Sequence, residues 1–101
     1  MKSFLSVLLV LLVSYAHATN YYFSSSSGDD SRTASQAKSS STPWRSINKL
    51  NSIFTILQPG DAVLFKRGDT FYGTITVRKS GSSTSPILIS AYGSGIKPII
   101  T

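Results

Sequence analysis

The chain has 101 residues and a formal net charge of +6, with ten Lys and Arg side chains, four Asp, one His, no Glu and no Cys. This length allows one domain at most. The absence of cysteine excludes disulfides, thiol nucleophiles and cysteine-based zinc sites. With so few carboxylates, the sequence does not show catalytic machinery of its own.

Residues 1–18 have the pattern of a secretory signal peptide, in which Lys2 precedes an apolar run over 4–13 and a small-x-small site ends at Ala18. A membrane anchor is the weaker alternative, because the run is shorter than the ~20 residues that span a bilayer. We expect cleavage after Ala18, secretion to the extracellular space or the cell surface, and no membrane span afterwards. Cleavage also removes His17, the sole histidine, and with it any triad or metal site that needs histidine.

The mature chain keeps an excess of positive charge, since nine basic and four acidic side chains remain after Lys2 is removed. These cations form no run longer than two, which favours a solvated surface over a nucleic-acid patch. We therefore expect no nucleic-acid partner, although the excess charge suits an acidic polysaccharide.

The first predicted elements are a strand, a loop and a helix. The strand covers residues 20–23 (NYYF), and the serine-rich segment 24–42 is predicted to be a long exposed loop because it has no bulky apolar residue. Thr42 as N-cap and Pro43 at the first position predict a helix over 43–54. Its apolar residues recur at helical spacing, which indicates packing on a core rather than a ligand groove.

Glycine-punctuated strands follow the helix. They are predicted over residues 62–66, 71–78, 86–92 and 96–101, with turns between them. The sequence stops within the last apolar strand, which leads us to expect a chain that continues beyond residue 101.

These features together carry a family resemblance. The order is an aromatic first strand, a Ser/Gly/Asp loop, a Pro-Trp helix start, Pro59-Gly60-Asp61, Arg67-Gly68-Asp69, and the glycine-rich strands after them. It resembles the N-terminal portion of secreted right-handed parallel β-helix proteins of the pectate-lyase-like superfamily. The resemblance implies an all-β solenoid, of which residues 19–101 would form the N-terminal cap, with one short α-helix, and the first coil.

The same resemblance implies a polysaccharide-degrading parent protein, either a polysaccharide lyase or a glycoside hydrolase. The catalytic residues would lie outside this chain, so we expect no activity from residues 19–101 alone. Two alternatives stay open: a non-catalytic carbohydrate-binding or adhesin-like surface solenoid, and a small secreted β-sandwich module.

The four aspartates have structural explanations that we prefer to chemical ones. Asp29 and Asp30 offer oxygen ligands for calcium, which would also suit a full-length parent protein, but a solvated Asx turn is the preferred explanation. Asp61 and Asp69 adjoin glycine turns, where their side chains can bind local backbone amides. A glycosidase pair would need its two carboxyl groups about 5–10 Å apart across a sugar, and turn positions flanking one strand make that arrangement unfavourable.

The basic and aromatic side chains give one candidate contact. Lys66-Arg67 and Arg78-Lys79 could serve uronate elimination, but solvated cations at strand ends are the preferred explanation. Five aromatic residues could stack on sugar rings, although strand packing is the default for most of them: Tyr21, Tyr22, Phe71, Tyr72 and Tyr92. Tyr72, next to a glycine on the more polar strand, is the predicted carbohydrate-binding residue.

Overall fold

The computed structural model describes residues 18–101, so the predicted signal peptide lies outside the described residues except for its last position. Two helices and five strands lie along this part of the chain, with both helices between the first and second strands. They are β1 (Asn20–Phe23), α1 (Ala34–Ala37), α2 (Ile47–Ile53), β2 (Ala62–Lys66), β3 (Thr70–Phe71), β4 (Leu88–Tyr92) and β5 (Ile99–Ile100). A 3₁₀ turn over Phe54–Ile56 continues α2.

The strands form two small sheets, and every strand pairing in them is parallel. The larger sheet has the order β1-β2-β4, with Asn20 opposite Ala62 and Ala62 opposite Leu88. The smaller sheet pairs β3 with β5, so that Thr70 lies opposite Ile99. Strand β2 is therefore central, and β4 and β5 each lie at the edge of a sheet.

The core is a row of aromatic side chains. Phe23 of β1 packs against Trp44 and against Phe65 of β2, each at a ring-centroid distance of 5.6 Å, and Phe65 meets Phe71 of β3 at 4.8 Å. All four are buried. Alternate residues of β1 and β2 point into this core, as the two-residue period of a strand requires.

Helix α2 closes one side of the core with Ile47, Leu50 and Ile53, which are buried as their helical spacing predicts. The predicted start of this helix was wrong. The N-cap is Ser46, whose side chain accepts a hydrogen bond from the Lys49 amide. Residues 43 and 44 stay extended because Trp44 pairs with β1 in an isolated bridge, which holds this segment out of a helix.

The serine-rich segment 24–42 is more ordered than predicted. Its short helix α1 begins with a capping box between Thr33 and Gln36, and Ala37 is buried in the core. Gly28 is also buried, and a Cβ there would lie 2.1 Å from the carbonyl oxygen of Trp44. Hydroxyl and backbone hydrogen bonds, rather than apolar burial, order this segment.

Of the strand predicted over 71–78, only Phe71, the second residue of β3, is strand. Gly73 has a φ of +128°, which breaks the extended conformation, and its amide donates to the carbonyl of Thr101. Beyond it, the side chain of Asn51 donates to the carbonyl of Thr74 and accepts from the amide of Thr76. This segment therefore pairs with a side chain of α2 instead of a strand.

The predicted fold class, an all-β right-handed parallel β-helix with its cap and first coil over residues 19–101, is wrong. Residues 18–101 form a small domain of two helices and two small parallel sheets, and no solenoid occurs in this range. The register agrees with this: paired positions are 42 residues apart between Asn20 and Ala62 but 26 apart between Ala62 and Leu88, so the spacing of the strands in the larger sheet is not constant over residues 18–101.

Candidate functional site

A cavity of about 180 Å³ opens beside the end of β3. Three segments that are distant in sequence meet there: the loop after β1, the residues that lead into α2, and β3 with the residue after it. The lining residues are Ser25, Arg45, Ser46, Thr70, Phe71 and Tyr72. The cavity thus combines an aromatic pair, three hydroxyl groups and one guanidinium group.

The segment that leads into α2 is fixed by Asp30. One carboxylate oxygen of Asp30 accepts hydrogen bonds from the backbone amides of Arg45, at 2.8 Å, and Ser46, at 3.0 Å, and the other accepts from the Ser46 hydroxyl. The Ser46 hydroxyl in turn caps α2. Asp30 therefore holds one wall of the cavity and the start of the helix in the same position.

Tyr72 is the most exposed aromatic residue at the cavity. Its side chain is 75% exposed, whereas the neighbouring Phe71 is 1% exposed and belongs to the core. The backbone on both sides of Tyr72 is paired, since the amide of Thr101 donates to Phe71 and the amide of Gly73 donates to Thr101. A fixed backbone presents an exposed ring, an arrangement that suits the face of a sugar.

The other aromatic candidates pack against aromatic partners instead. Tyr21 stacks on Trp44 at 5.8 Å, and Tyr22 meets Tyr92 edge to face at 4.9 Å. Burial, and secondarily the charge of Asp61, raises the pKa of Tyr21. Burial also raises the pKa of Tyr92, with further contributions from Asp69 and Tyr22.

Asp29 forms the Asx turn that its position beside glycine favours. Its carboxylate accepts from the Ser31 hydroxyl at 2.7 Å and from the Ser31 amide at 2.9 Å. These two hydrogen bonds, followed by the charges of Arg32 and Arg45, lower the pKa of Asp29. Asp30 is engaged at the start of α2, so both aspartates that were weighed as calcium ligands bind protein donors instead. Within residues 18–101, no group of three or more His, Cys, Asp or Glu side chains could hold a metal ion.

Asp61 and Asp69 lie beyond opposite ends of β2, a strand of five residues that spans about 16 Å at ~3.3 Å per residue. That separation is wider than the about 5–10 Å of a glycosidase pair. Asp61 accepts from the amides of Gln58, at 2.8 Å, and Thr19, at 3.1 Å. It therefore closes the turn before β2 and ties that turn to the start of β1.

Asp69 makes long-range contacts, contrary to the local ones expected. One of its oxygens accepts from the Ser24 hydroxyl at 2.7 Å and from the hydroxyl and amide of Ser26 at 3.2 and 3.3 Å. Burial by itself raises the pKa of Asp69, but these hydrogen bonds and the charge of Lys66 outweigh it, so the pKa lies below its ordinary value. Asp69 thus joins the loop after β1 to the end of β2.

The two basic pairs contact different parts of the molecule. Lys66 lies at the end of β2, where its charge acts on Asp69. The ammonium group of Lys79 donates to the carbonyl of Thr55 at 3.2 Å, and Arg78 is exposed. Neither pair lines the cavity.

Tyr72 remains a predicted carbohydrate-binding residue; the structure places it at the cavity, beside neighbours that the sequence did not indicate. Arg45 entered only as one of several scattered cations, and Ser25, Ser46 and Thr70 carried no signal. Asp30 pairs with the residues before α2, but a single sequence does not reveal such a pairing, so no signal in the sequence pointed to them. Among residues 18–101, no helix has the length and hydropathy needed to cross a membrane.

The known proteins that match this chain in sequence and in structure are of the same kind. No protein-family model matches the chain. A lacto-N-biosidase from Bifidobacterium longum subsp. longum is 42% identical over 86 residues, which cover 81% of this chain and 5% of that protein. The chain is similar to lacto-N-biosidases. Two crystal structures of the GH136 lacto-N-biosidase from Eubacterium ramulus, one native and one selenomethionine derivative, show 36% identity and a TM-score of 0.62, over 79% of this chain and 12% of theirs.

These relatives correct the family expectation. The resemblance to the pectate-lyase-like superfamily is wrong, because the proteins that match are lacto-N-biosidases and the described residues lack a solenoid. The carbohydrate-related part of the expectation is supported, since the relatives are glycoside hydrolases. The chain spans only about a twentieth to an eighth of the length of these relatives.

Proposed function

We propose that this chain is part of a secreted glycoside hydrolase that acts on oligosaccharides, in which residues 19–101 supply framework and a sugar-contacting surface. The observation that carries this proposal is the 42% identity with a lacto-N-biosidase over 86 residues. The similarity in structure to the Eubacterium ramulus enzyme, at 36% identity, also supports it.

The positions of the carboxylates support a framework role. A glycoside hydrolase needs one carboxyl group as an acid and a second as a base or nucleophile, and the two must face a common sugar. All four aspartates of this chain accept hydrogen bonds from their own protein: Asp29, Asp30, Asp61 and Asp69. We therefore assign the catalytic carboxylates to other parts of the enzyme.

Tyr72 is the residue that we assign to sugar contact. An exposed aromatic ring beside hydroxyl groups can cover the apolar face of a pyranose while the hydroxyls exchange hydrogen bonds with its rim. Tyr72 has this exposure, and Ser25 and Thr70 supply the hydroxyls. The other four aromatic candidates are packed or buried and are not assigned.

The test is hydrolysis by the complete product of the gene. We expect release of the chromophore from a chromogenic lacto-N-bioside, with a chromogenic galactoside as the control for cleavage of a single sugar. Tyr72→Ala should raise KM by a factor of about three to ten with little change in kcat, because it removes contact made equally in the ground and transition states. Tyr72→Phe keeps the ring and should behave like the wild type.

Two further variants test the framework role of the aspartates. Asp61→Asn and Asp69→Asn should lower the midpoint of thermal unfolding while leaving kcat within about threefold at temperatures where each variant is folded. A kcat loss of about 100-fold or more in a folded variant would identify a catalytic carboxylate. Saccharide binding without hydrolysis would point instead to a carbohydrate-binding protein.

A further inference from the structure

We infer that the cavity between Arg45 and Tyr72 is a subsite for a carboxylated sugar. This inference rests on the proposed function and adds a charge preference to it. Arg45 carries the only charge among the six lining residues. The rest of the lining is neutral, with two aromatic rings and three hydroxyl groups.

The guanidinium group of Arg45 is held in place but has donors to spare. Its Nη1 donates to the carbonyl of Gly28 at 3.3 Å, and this is the one hydrogen bond that the group makes within residues 18–101. A guanidinium carries five N–H donors, and its planar fork matches the two oxygens of a carboxylate. The backbone amide of Arg45 is fixed by Asp30, so the side chain starts from a defined position.

The neutral part of the lining suits the remainder of a sugar. Tyr72 offers a ring that is 75% exposed. Ser25 and Thr70 contribute hydroxyl groups that make no side-chain hydrogen bond within the described part of the chain. A pyranose bound in this cavity would have the Tyr72 ring, the Arg45 guanidinium group and the hydroxyls of Ser25 and Thr70 as neighbours.

Two carboxylates lie near Arg45, and the charge of one of them, Asp29, interacts with the charge of its guanidinium group. Asp30 accepts hydrogen bonds from the Arg45 and Ser46 amides, and Asp29 is close enough for Arg45 to lower its pKa. Neither aspartate lines the cavity. We therefore expect a preference for the acidic sugar of about tenfold, as one charge-assisted contact in a solvent-exposed site provides.

The test compares matched acidic and neutral saccharides on the complete gene product by isothermal titration calorimetry. Trigalacturonate is compared with its carboxyl-reduced trisaccharide, and sialyllactose with lactose, so that the two pairs distinguish a uronic acid from a sialic acid. In at least one pair, the wild type should bind the acidic member about tenfold more tightly, and the difference should shrink with added salt.

Three variants assign that preference to Arg45. Arg45→Gln should remove it while leaving the affinity for the neutral member within about twofold, and Arg45→Lys should restore part of it. Arg78→Gln is the matched control, because it removes the same charge from an exposed residue outside the cavity. Thermal unfolding measurements verify that each variant is folded.

Three results would overturn the inference. The first is equal affinity for both members of each pair, and the second is an equal loss of preference in Arg45→Gln and Arg78→Gln, which would assign the effect to net charge. The third is no saccharide binding that depends on Tyr72. Hydrolysis of the lacto-N-bioside is measured separately, so the proposed function can hold even when the acidic preference fails.

Discussion

Replacing Asp69 tests whether hydrogen bonds to a buried carboxylate hold the serine-rich loop on the sheet. Asp69 is 9% exposed, and one of its oxygens accepts three hydrogen bonds from Ser24 and Ser26. Hydrogen bonds to charged groups contribute about 1.5–3 kcal/mol each, but the two contacts with Ser26 are long, at 3.2 and 3.3 Å. We expect Asp69→Ala to lower the free energy of unfolding by about 3 kcal/mol, because it leaves the donors without an acceptor.

The isosteric variant isolates the charge. Asp69→Asn can keep a carbonyl oxygen among the same donors, so only the charge assistance is lost, and we expect a decrease of about 1–2 kcal/mol. The assay is urea unfolding followed by the fluorescence of Trp44, the one tryptophan of the chain, which is buried against β1. In a domain of this size, each kcal/mol corresponds to about 4–8 °C in the unfolding midpoint.

The pH dependence gives an independent check on Asp69. Its native pKa lies below the ordinary value, so the unfolded state takes up a proton first as the pH falls. The stabilisation is complete well above the unfolded value of about 3.9, and it is lost as the pH falls through the native pKa. The difference between wild type and Asp69→Asn should therefore shrink on acidification. Equal stability at pH 7, or a difference that grows toward acid, would refute this reasoning.

Two further substitutions test how loops are fixed to the core. Gly28→Ala should lower the free energy of unfolding by about 2 kcal/mol or more, measured by urea unfolding. The reason is that the new Cβ would lie 2.1 Å from the carbonyl oxygen of Trp44. An unfolding curve that matches the wild type would contradict this packing. Asn51→Ala should speed trypsin cleavage at Lys79 several-fold with little global loss of stability, because it removes both hydrogen bonds to the 73–80 segment. Asn48→Ala, at an exposed position of the same helix, is the control and should leave that cleavage rate unchanged.

The strands were predictable where apolar side chains alternate or run together. β1 has the predicted bounds, and so does β2, because burial of their aromatic and aliphatic residues decides their structure. β4 begins two residues later than predicted, at Leu88, and β5 is reduced to Ile99–Ile100. Hydrophobic pattern therefore located these elements, while hydrogen-bond partners that are distant in sequence set their ends.

The serine-rich segment was the main failure, and its cause is specific. Absence of bulky apolar residues predicts an exposed loop only when burial is the source of order. Here Ser24 is fully buried, and its hydroxyl binds Asp69, 45 residues away in the sequence. Gly28 is buried because it permits contact between two backbones. A single sequence shows neither that Asp69 is the partner of Ser24 nor that the backbone at Gly28 lies against another part of the chain.

Of the residues that line the cavity, only Tyr72 was selected from the sequence as a candidate. Tyr72 could be selected because it was the aromatic residue beside a glycine on a polar strand, a local feature. Arg45 joins it through Asp30, which fixes the backbone before α2, and through the aromatic packing that brings Trp44 against β1. Two of the four aspartates fix the backbone near this surface: Asp30 binds the amides before α2, and Asp69 binds the loop after β1.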